Sequence, residues 1–248
     1  VAGLAAAGAA VVALGIRSIQ AGSDVEEMMS KYSVVFGQYA NQTAGELKTL
    51  ADEVGRNRYE LMGFAATFQD TFVPLGFARG AAADLSVELT QLTVDLASFN
   101  NVAEPQVLAD LQSAIVGNHE TMRKYGVIIT ETTLGQQLLK MGIEGGIAAA
   151  TEQEKVMARL AIITAGTKDA FGDAARTAGG FANQMRGLKS SVQETIQSIG
   201  VNLLPLATRF IATFRAIEPA LSRILAGVFA VLKNMVEVVL QFIESLAR

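Results

Sequence analysis

One histidine and many carboxylates are the side chains from which acid–base or metal chemistry would first be expected. The chain has a single His, 24 Asp and Glu, and no Cys. One His excludes a two-His metal site and leaves a Ser-His-Asp triad with one candidate. That residue, His119, lies in the polar stretch GNHETMRKYG, which favours an exposed structural role. Without Cys, disulfides, thiolate catalysis and Cys-based zinc sites are excluded.

The carboxylates form no cluster typical of a glycosidase or a metal site. Asp84, Glu88 and Asp95 share one helical segment and lie off its apolar positions, so we interpret them as a solvated face rather than a paired-carboxylate site. Glu120 and Arg123 fit an i, i+3 surface salt bridge. We therefore expect no enzyme activity, no catalytic residue, no metal and no cofactor.

Phosphate-binding signals are equally weak. Gly179 and Gly180 lack the preceding strand that a phosphate loop requires. Arg176, Arg186 and Lys189 give one helix a mild basic edge that could touch phosphate, although mixed charge on a helix surface is the default. The net charge is −4 and the pI about 5.2, so no overall basic balance suggests nucleic acid.

The elements that would position these residues are predicted to be helices. Half of the 248 residues are hydrophobic, only 18% are charged and the mean hydropathy is +0.33, which is too apolar for disorder. The apolar residues are mainly Ala, Leu, Val and Ile, a composition that suits helix-on-helix packing. Strand-like alternation is scarce, and its best candidate, residues 127–130, follows Gly126 and is interpreted as a connector.

Start and stop signals divide the central region into helices. One apolar stripe has steps of four and three: Leu85, Leu89, Leu92, Leu96 and Phe99. Asn100 and Asn101 should break that helix. Pro105 suits the first turn of the next, which should run to about Val116 and stop at Gly117.

Two further caps follow. Asn118 should cap a short helix over residues 119–125, which Gly126 should end. Thr151 and Glu154 form a capping box after a loop that contains Gly142, Gly145 and Gly146.

The last third carries two longer repeats. An eleven-residue pattern predicts a nearly straight helix: Phe181, Met185, Leu188, Val192, Ile196, Ile199 and Leu203. Pro205 should kink or interrupt it. A seven-residue repeat typical of a coiled coil then forms the predicted packing stripe: Phe214, Ile217, Leu221, Ile224, Val228, Val231, Met235, Val238 and Phe242.

The apolar face around this stripe is wider than a two-stranded seam needs. Further apolar residues widen it: Leu225, Phe229, Leu232, Val236, Val239, Leu240 and Ile243. A multi-helix oligomer or a bilayer could bury such a face. Arg223, Lys233 and Glu237 interrupt the run, which disfavours a simple transmembrane span.

The other end of the chain is also apolar. Residues 1–16 carry no charge but are short for a membrane-spanning helix. Gly3, Gly8 and Gly15 would allow close helix packing in water or in lipid. We favour a packed helix in an assembly over a membrane span. Because the chain begins with Val1, we expect it to be a piece of a longer protein.

Three segments, taken in order, resemble the core region of phage tail tape-measure proteins. They are AADLSVELTQLTVDLASFNN (82–101), AIVGNHETMRKYGVIITE within 111–131, and TEQEKVMARLAII, ARTAGGFANQMRGLKSS and IGVNLLP within 151–205. With a looser upstream stretch the similarity covers roughly residues 45–207. The order of several segments, rather than any one motif, carries it.

The resemblance implies a role inside the tail of a long-tailed phage or prophage. Tape-measure proteins lie in the lumen of the tail tube, and their length sets the number of tube rings. They leave before the DNA, and parts of them can take part in a channel across the host envelope. The implied partners are further copies of the chain (three or six), the tail tube protein, distal tail or baseplate proteins, tail assembly chaperones and the host membrane, with DNA only by proximity.

The predicted architecture is all-α: an elongated helical bundle with a helix-loop-helix core and an apolar, coiled-coil-like C-terminal helix, expected to be oligomeric. We predict an N-terminal apolar and amphipathic helical region at 1–44, a tape-measure core at 45–178 and long C-terminal helices at 179–248. The predicted function is tail-length determination and scaffolding in the virion. The alternative is a membrane-inserting channel for DNA delivery.

Overall fold

Every regular element that the structure describes is a helix. The computed structural model describes residues 2–246, with the side chains of 12–220 and 222–237. Within that range there is no strand, which confirms the all-α, bundle-like prediction. The α-helices are α1 (Ala2–Phe36), α2 (Ala40–Val54), α3 (Arg58–Phe72), α4 (Arg79–Phe99), α5 (Glu104–Ile115), α6 (Glu131–Lys140), α7 (Glu152–Gly166), α8 (Asp173–Arg176) and α9 (Phe181–Leu246).

Helix α4 lies between two hydrophobic clusters and contributes to both. Leu89, Leu92 and Leu96 pack with residues of α5, α6 and α7. Ala83 and Val94 pack with the C-terminal part of α1 and with α2 and α3. All residues from 92 to 97 are buried. The predicted stripe therefore describes one of two buried faces, and its last member, Phe99, is 53% exposed.

The interpretation of Asp95 as part of a solvated face is wrong. Asp84 and Glu88 are exposed, but Asp95 is only 1% exposed, because α4 is covered on more than one side. Its carboxylate accepts hydrogen bonds from the backbone N–H groups of Gly172 (2.9 Å) and Ala174 (3.1 Å). It thereby holds the start of α8 against α4.

Most of the predicted helix signals are confirmed. Pro105 lies in the first turn of α5. Gly126 ends the 3-10 helix His119–Tyr125 with φ +76°. Glu154 accepts from the backbone N–H of Thr151 at 2.7 Å, and the Thr151 hydroxyl accepts from the Glu154 N–H at 3.2 Å. Residues 127–130 form a connector to α6, as predicted.

Asn118 does not cap the helix that follows it, contrary to the prediction. Its side chain makes no capping hydrogen bond. Its backbone N–H instead donates to the Ser113 carbonyl at 2.9 Å, so the residue closes the end of α5. The unpredicted capping pair in this region is Thr130 and Thr133, at the start of α6.

Helix α9 is not interrupted at Pro205. It continues through Pro205 and Pro219 to Leu246, 66 residues that span about 100 Å. Both proline rings are exposed, so the backbone carbonyls that lose their N–H partners, those of Val201 and Arg215, lie at the surface of the helix. We define residues 181–204 as the proximal half of α9 and residues 206–246 as its distal half.

Helices α1 and α9 meet at two glycines. A methyl group added to Gly22 would lie 2.6 Å from the backbone nitrogen of Val201, and one added to Gly200 would lie 2.7 Å from the backbone nitrogen of Gly22. The backbones touch because neither residue has a side chain. Of the three glycines predicted to serve this purpose, Gly3, Gly8 and Gly15, the last has open space around it. Gly3 and Gly8 precede residue 12, where the described side-chain surroundings begin.

The residues that the structure describes include no helix long and apolar enough to cross a membrane.

We expect Gly200→Ala to destabilise the protein by about 3 kcal/mol, because the added methyl group must separate two backbones in contact. The measurement is urea unfolding followed by the circular dichroism of the helices. Gly15→Ala is the matched control: it adds a methyl group into open space and should stabilise the helix by up to about 1 kcal/mol. Equal effects of the two substitutions would contradict the close crossing.

Burial raises the pKa of the Asp95 carboxyl above 3.8, although the two N–H groups oppose this shift. The folded state therefore binds a proton more readily than the unfolded chain, and the contribution of Asp95 to stability is lost as the pH rises through the raised pKa. Relative to Asp95→Asn, the wild type should gain unfolding free energy between pH 7 and about pH 4. A pH-independent difference between the two unfolding curves would contradict this assignment, and Asp84→Asn is the exposed control.

Candidate interaction surface on the long C-terminal helix

A buried arginine ties the start of α9 to the rest of the molecule. The side chain of Arg56 is only 4% exposed and its Nε lies 2.9 Å from the Glu104 carboxylate. Its terminal nitrogens donate to Asn183 Oδ1 (2.8 Å) and to the Val54 carbonyl (2.9 Å). One guanidinium therefore connects the end of α2, the start of α5 and the first turn of α9.

The next two residues extend this attachment. Asn57 caps α3 by accepting from the backbone N–H of Tyr59 at 2.9 Å, and its amide nitrogen donates to Gln197 Oε1 at 2.7 Å. The Glu194 carboxylate accepts from the backbone N–H of Arg58 at 3.2 Å and lies 3.1 Å from its Nε. We call Arg56, Asn57 and Arg58 the polar clamp. The sequence signal for it is a glycine followed by three polar residues, since glycine commonly ends a helix. In the structure Gly55 ends α2 in the left-handed conformation.

A cleft of about 380 Å³ lies beside the clamp, lined in part by Glu60, Arg186 and Lys189. Burial, followed by the charge of Glu104, raises the pKa of Glu60, while Lys189 and Arg56 lower it. The cleft therefore brings charges of both signs together instead of presenting a uniform patch.

The prediction of a basic edge on one helix is wrong, because Arg176 ends α8 whereas Arg186 and Lys189 lie on α9. These cations are used largely for intramolecular contacts. Arg186 donates to Asn101 Oδ1 at 3.0 Å, and Arg176 lies 3.1 Å from the Asp173 carboxylate. Lys189 lines the cleft beside the clamp. The structure thus places two of the three cations on polar groups of the same chain.

The lone histidine is not exposed as predicted. His119 is half-buried, and within the described residues its Nδ1 has no hydrogen-bond partner. The predicted pair beside it is present, with Arg123 Nη2 at 3.2 Å from Glu120 Oε1. The described part of the chain contains no group of three or more His, Asp or Glu side chains that could hold a metal ion.

The predicted packing stripe lies on the distal half of α9 and faces outward. Its described members are between 50% and 63% exposed: Phe214, Ile217, Ile224, Val228, Val231 and Met235. Leu221, Val238 and Phe242 lie outside the described side chains. Leu206 and Phe210 extend the same exposed face toward Pro205.

A second exposed stripe widens this face toward the C-terminus. Leu225, Phe229, Leu232 and Val236 are between 50% and 68% exposed. Nearer Pro205 the corresponding flank is mostly polar and has one apolar member, Ile211: its residues are Thr208, Ile211, Arg215, Glu218 and Ser222. The apolar face therefore broadens along the distal half.

The exposed area exceeds what an isolated protein normally carries. More than ten large apolar side chains of the distal half are at least half exposed. At roughly 80 Å² each they present on the order of 1,000 Å² of apolar surface, whereas the largest patch on a typical monomer is about 300–600 Å². A surface of this size indicates an interaction site.

The stripe of the proximal half is partly covered by α1. Ile196 and Leu203 are half-buried. A cleft of about 520 Å³ joins Ile196 and Val192 to Arg17 and Ala21 of α1. The other five members of the proximal stripe are between 41% and 80% exposed, so this cover is incomplete: Phe181, Met185, Leu188, Val192 and Ile199.

No family model, curated protein sequence or solved structure matches the chain.

We expect Arg56→Gln to destabilise the protein by about 3 kcal/mol, because it leaves a largely buried Glu104 carboxylate without its cation. Hydrogen exchange of residues 181–204 should accelerate as the proximal half loosens. Lys48→Gln is the control: its pair with Asp52 (2.6 Å) is exposed and contributes less than about 1 kcal/mol. Unchanged exchange in the proximal half of Arg56→Gln would contradict the role of the clamp.

Proposed function

We propose that this protein is a structural component of a phage tail, a tape-measure protein that sets tail length. It lies in the lumen of the tail tube, scaffolds assembly of the tube and leaves when the genome is ejected. The observation that carries the proposal is α9, a 66-residue helix with an apolar stripe exposed along its distal half. The order of segments that resemble the tape-measure core supports the same function.

The proposed partners follow from the exposed stripe and from the implied location. A seven-residue apolar repeat that faces solvent in one copy suits coiled-coil packing with further copies, three or six in the proposed assembly. The tail tube protein, distal tail or baseplate proteins and assembly chaperones complete the set. The proposed role is mechanical, with no catalytic step.

In the proposed function, the part of the chain that measures length is a continuous helix. A continuous helix extends 1.5 Å per residue, so the whole chain as one helix would reach roughly 370 Å. The residues between α1 and α9 fold back into packed short helices, and there the addition of residues adds little length. The ruler property is therefore assigned to α9 and to helices of the same kind.

The test is tail length by electron microscopy after in-frame deletions in the full-length gene. We expect deletion of two heptads (residues 222–235) to shorten tails by about 21 Å, and of four (208–235) by about 42 Å, because each residue adds about 1.5 Å. Whole heptads are removed so that the stripe keeps its register. A control gene with the polar face of 208–235 scrambled at constant length should give tails of normal length.

Tails of unchanged length in both deletions would contradict the ruler and favour the second candidate, a membrane-inserting channel for DNA delivery. The observation that favours this candidate is the width of the apolar face from residue 224 to residue 236. Its direct measure is release of dye from liposomes by the purified chain. In that case the stripe would meet lipid at the stage of infection when it leaves the tail.

A further inference from the structure

We propose that the distal halves of α9 from more than two copies pack parallel and in register, with the stripe facing a common axis and both prolines facing outward. The inference rests on the self-association in the proposed function. It adds the direction of the helices, their register and the face that remains outside.

The two prolines define the outer face. Pro205 and Pro219 are fourteen residues apart, which is two heptads and close to four helical turns, so they lie on the same side of α9. If Phe214 and Ile217 are assigned to heptad positions a and d, both prolines fall at position f, on the side of the helix opposite the stripe. A proline ring pushes away the carbonyl four residues earlier and opens the helix on its own side. Both prolines therefore bend α9 in the same direction and make the apolar face concave, as a helix needs when it winds around an axis.

The occupant of the stripe follows from continuity along α9. In the proximal half the stripe lies beside another helix: Met185, Leu188, Val192 and Ile196 line a cleft that they share with Arg17 and Ala21 of α1. The same stripe runs on into the distal half, where the described side chains of the chain itself leave it exposed. The neighbour of this surface in the body is a helix that covers it only in part. The distal half of a second copy has the matching spacing.

The broadening of the face selects the parallel direction. The second stripe, which begins at Leu225, lies at the C-terminal end, whereas Arg215 and Glu218 flank the narrow end. An antiparallel pair would place each wide end on a charged narrow end and desolvate those charges. In a parallel pair in register, the wide end of one apolar face packs against the wide end of the other, and the charged narrow ends lie beside each other.

The same width requires more than two helices. One partner covers a narrow seam of a helix, and here two adjacent stripes are exposed. A bundle of several helices buries both stripes, because each helix then contacts two neighbours.

The test uses the absence of cysteine in the chain. Ile217→Cys and Val231→Cys each place one thiol on the stripe, and Ala226→Cys places one on the proline face as the control. All three positions are exposed in the single copy, so folding should be preserved. We expect a short bis-maleimide to link Ile217→Cys to itself and Val231→Cys to itself, and to leave Ala226→Cys unlinked.

A mixture of the two stripe variants separates the directions. In an antiparallel arrangement centred on residue 224, position 217 of one copy meets position 231 of another, so linkage only in the mixture would overturn the proposal. Linkage of Ala226→Cys equal to that of the stripe variants would overturn it as well. Light scattering gives the mass: we expect at least three copies, and a monomer or dimer would contradict the bundle.

A charge on the stripe provides the second variant. Val228→Asp should dissociate the oligomer while the helical content of the folded body is retained, because Val228 is 51% exposed in the single copy. If cross-linking fails but the deletions still shorten tails in proportion, the bundle is wrong and the ruler stands. If the bundle forms but tails keep their length, the ruler is wrong and the bundle stands.

Discussion

The backbone contact between Gly22 and Gly200 fixes how close α1 and α9 can come, and the placement of the long helix depends on it. Two helices with side chains at the crossing would stand further apart. At the larger distance the clefts on either side of the crossing would widen, and Gln197 and Glu194 would lose their hold on Asn57 and Arg58. The two glycines and the polar clamp therefore act together. The glycines permit the close contact between α1 and α9, and the clamp determines which residues of α9 lie at the crossing.

Helix α4 shows why hydropathy alone underestimates burial in this protein. Its second buried face contains hydroxyl residues, which a sequence reading counts as polar. Ser86, Thr90 and Thr93 are fully buried, and each hydroxyl donates to the carbonyl four residues earlier at 2.7 Å. A hydroxyl satisfied by its own helix can be buried like a small apolar group. Asp95 lies on the same helix and is satisfied by a neighbouring helix start, which no local pattern could indicate.

The sequence predicted the features that depend on a few neighbouring residues. The breaks after α4 and α5, the first-turn proline of α5 and the capping box of α7 are all local, and the structure confirms them. The failures involve partners distant in sequence. Asn118 bonds backward into α5 through its backbone instead of capping forward. Close helix packing was expected at Gly3, Gly8 and Gly15, and the structure shows it at Gly22, because only the fold determines where α9 passes.

The candidate interaction surface also has a part that the sequence predicts and a part that only the fold reveals. The spacing of the stripe was readable from the chain, since a seven-residue period needs no tertiary knowledge. The polar clamp was not, because Arg56 reaches Asn183 across 127 positions of sequence.

The distribution of contacts along the proximal half has a mechanical consequence. Asn183, Glu194, Gln197 and Gly200 attach α9 to the body at successive points along its axis. A pull on the distal end along that axis would load these attachments together, in shear, so no single bond would carry the tension. A sideways force would load them one after another and peel the helix from its end. The attachment of α9 should therefore resist a force along the helix axis better than a force perpendicular to it.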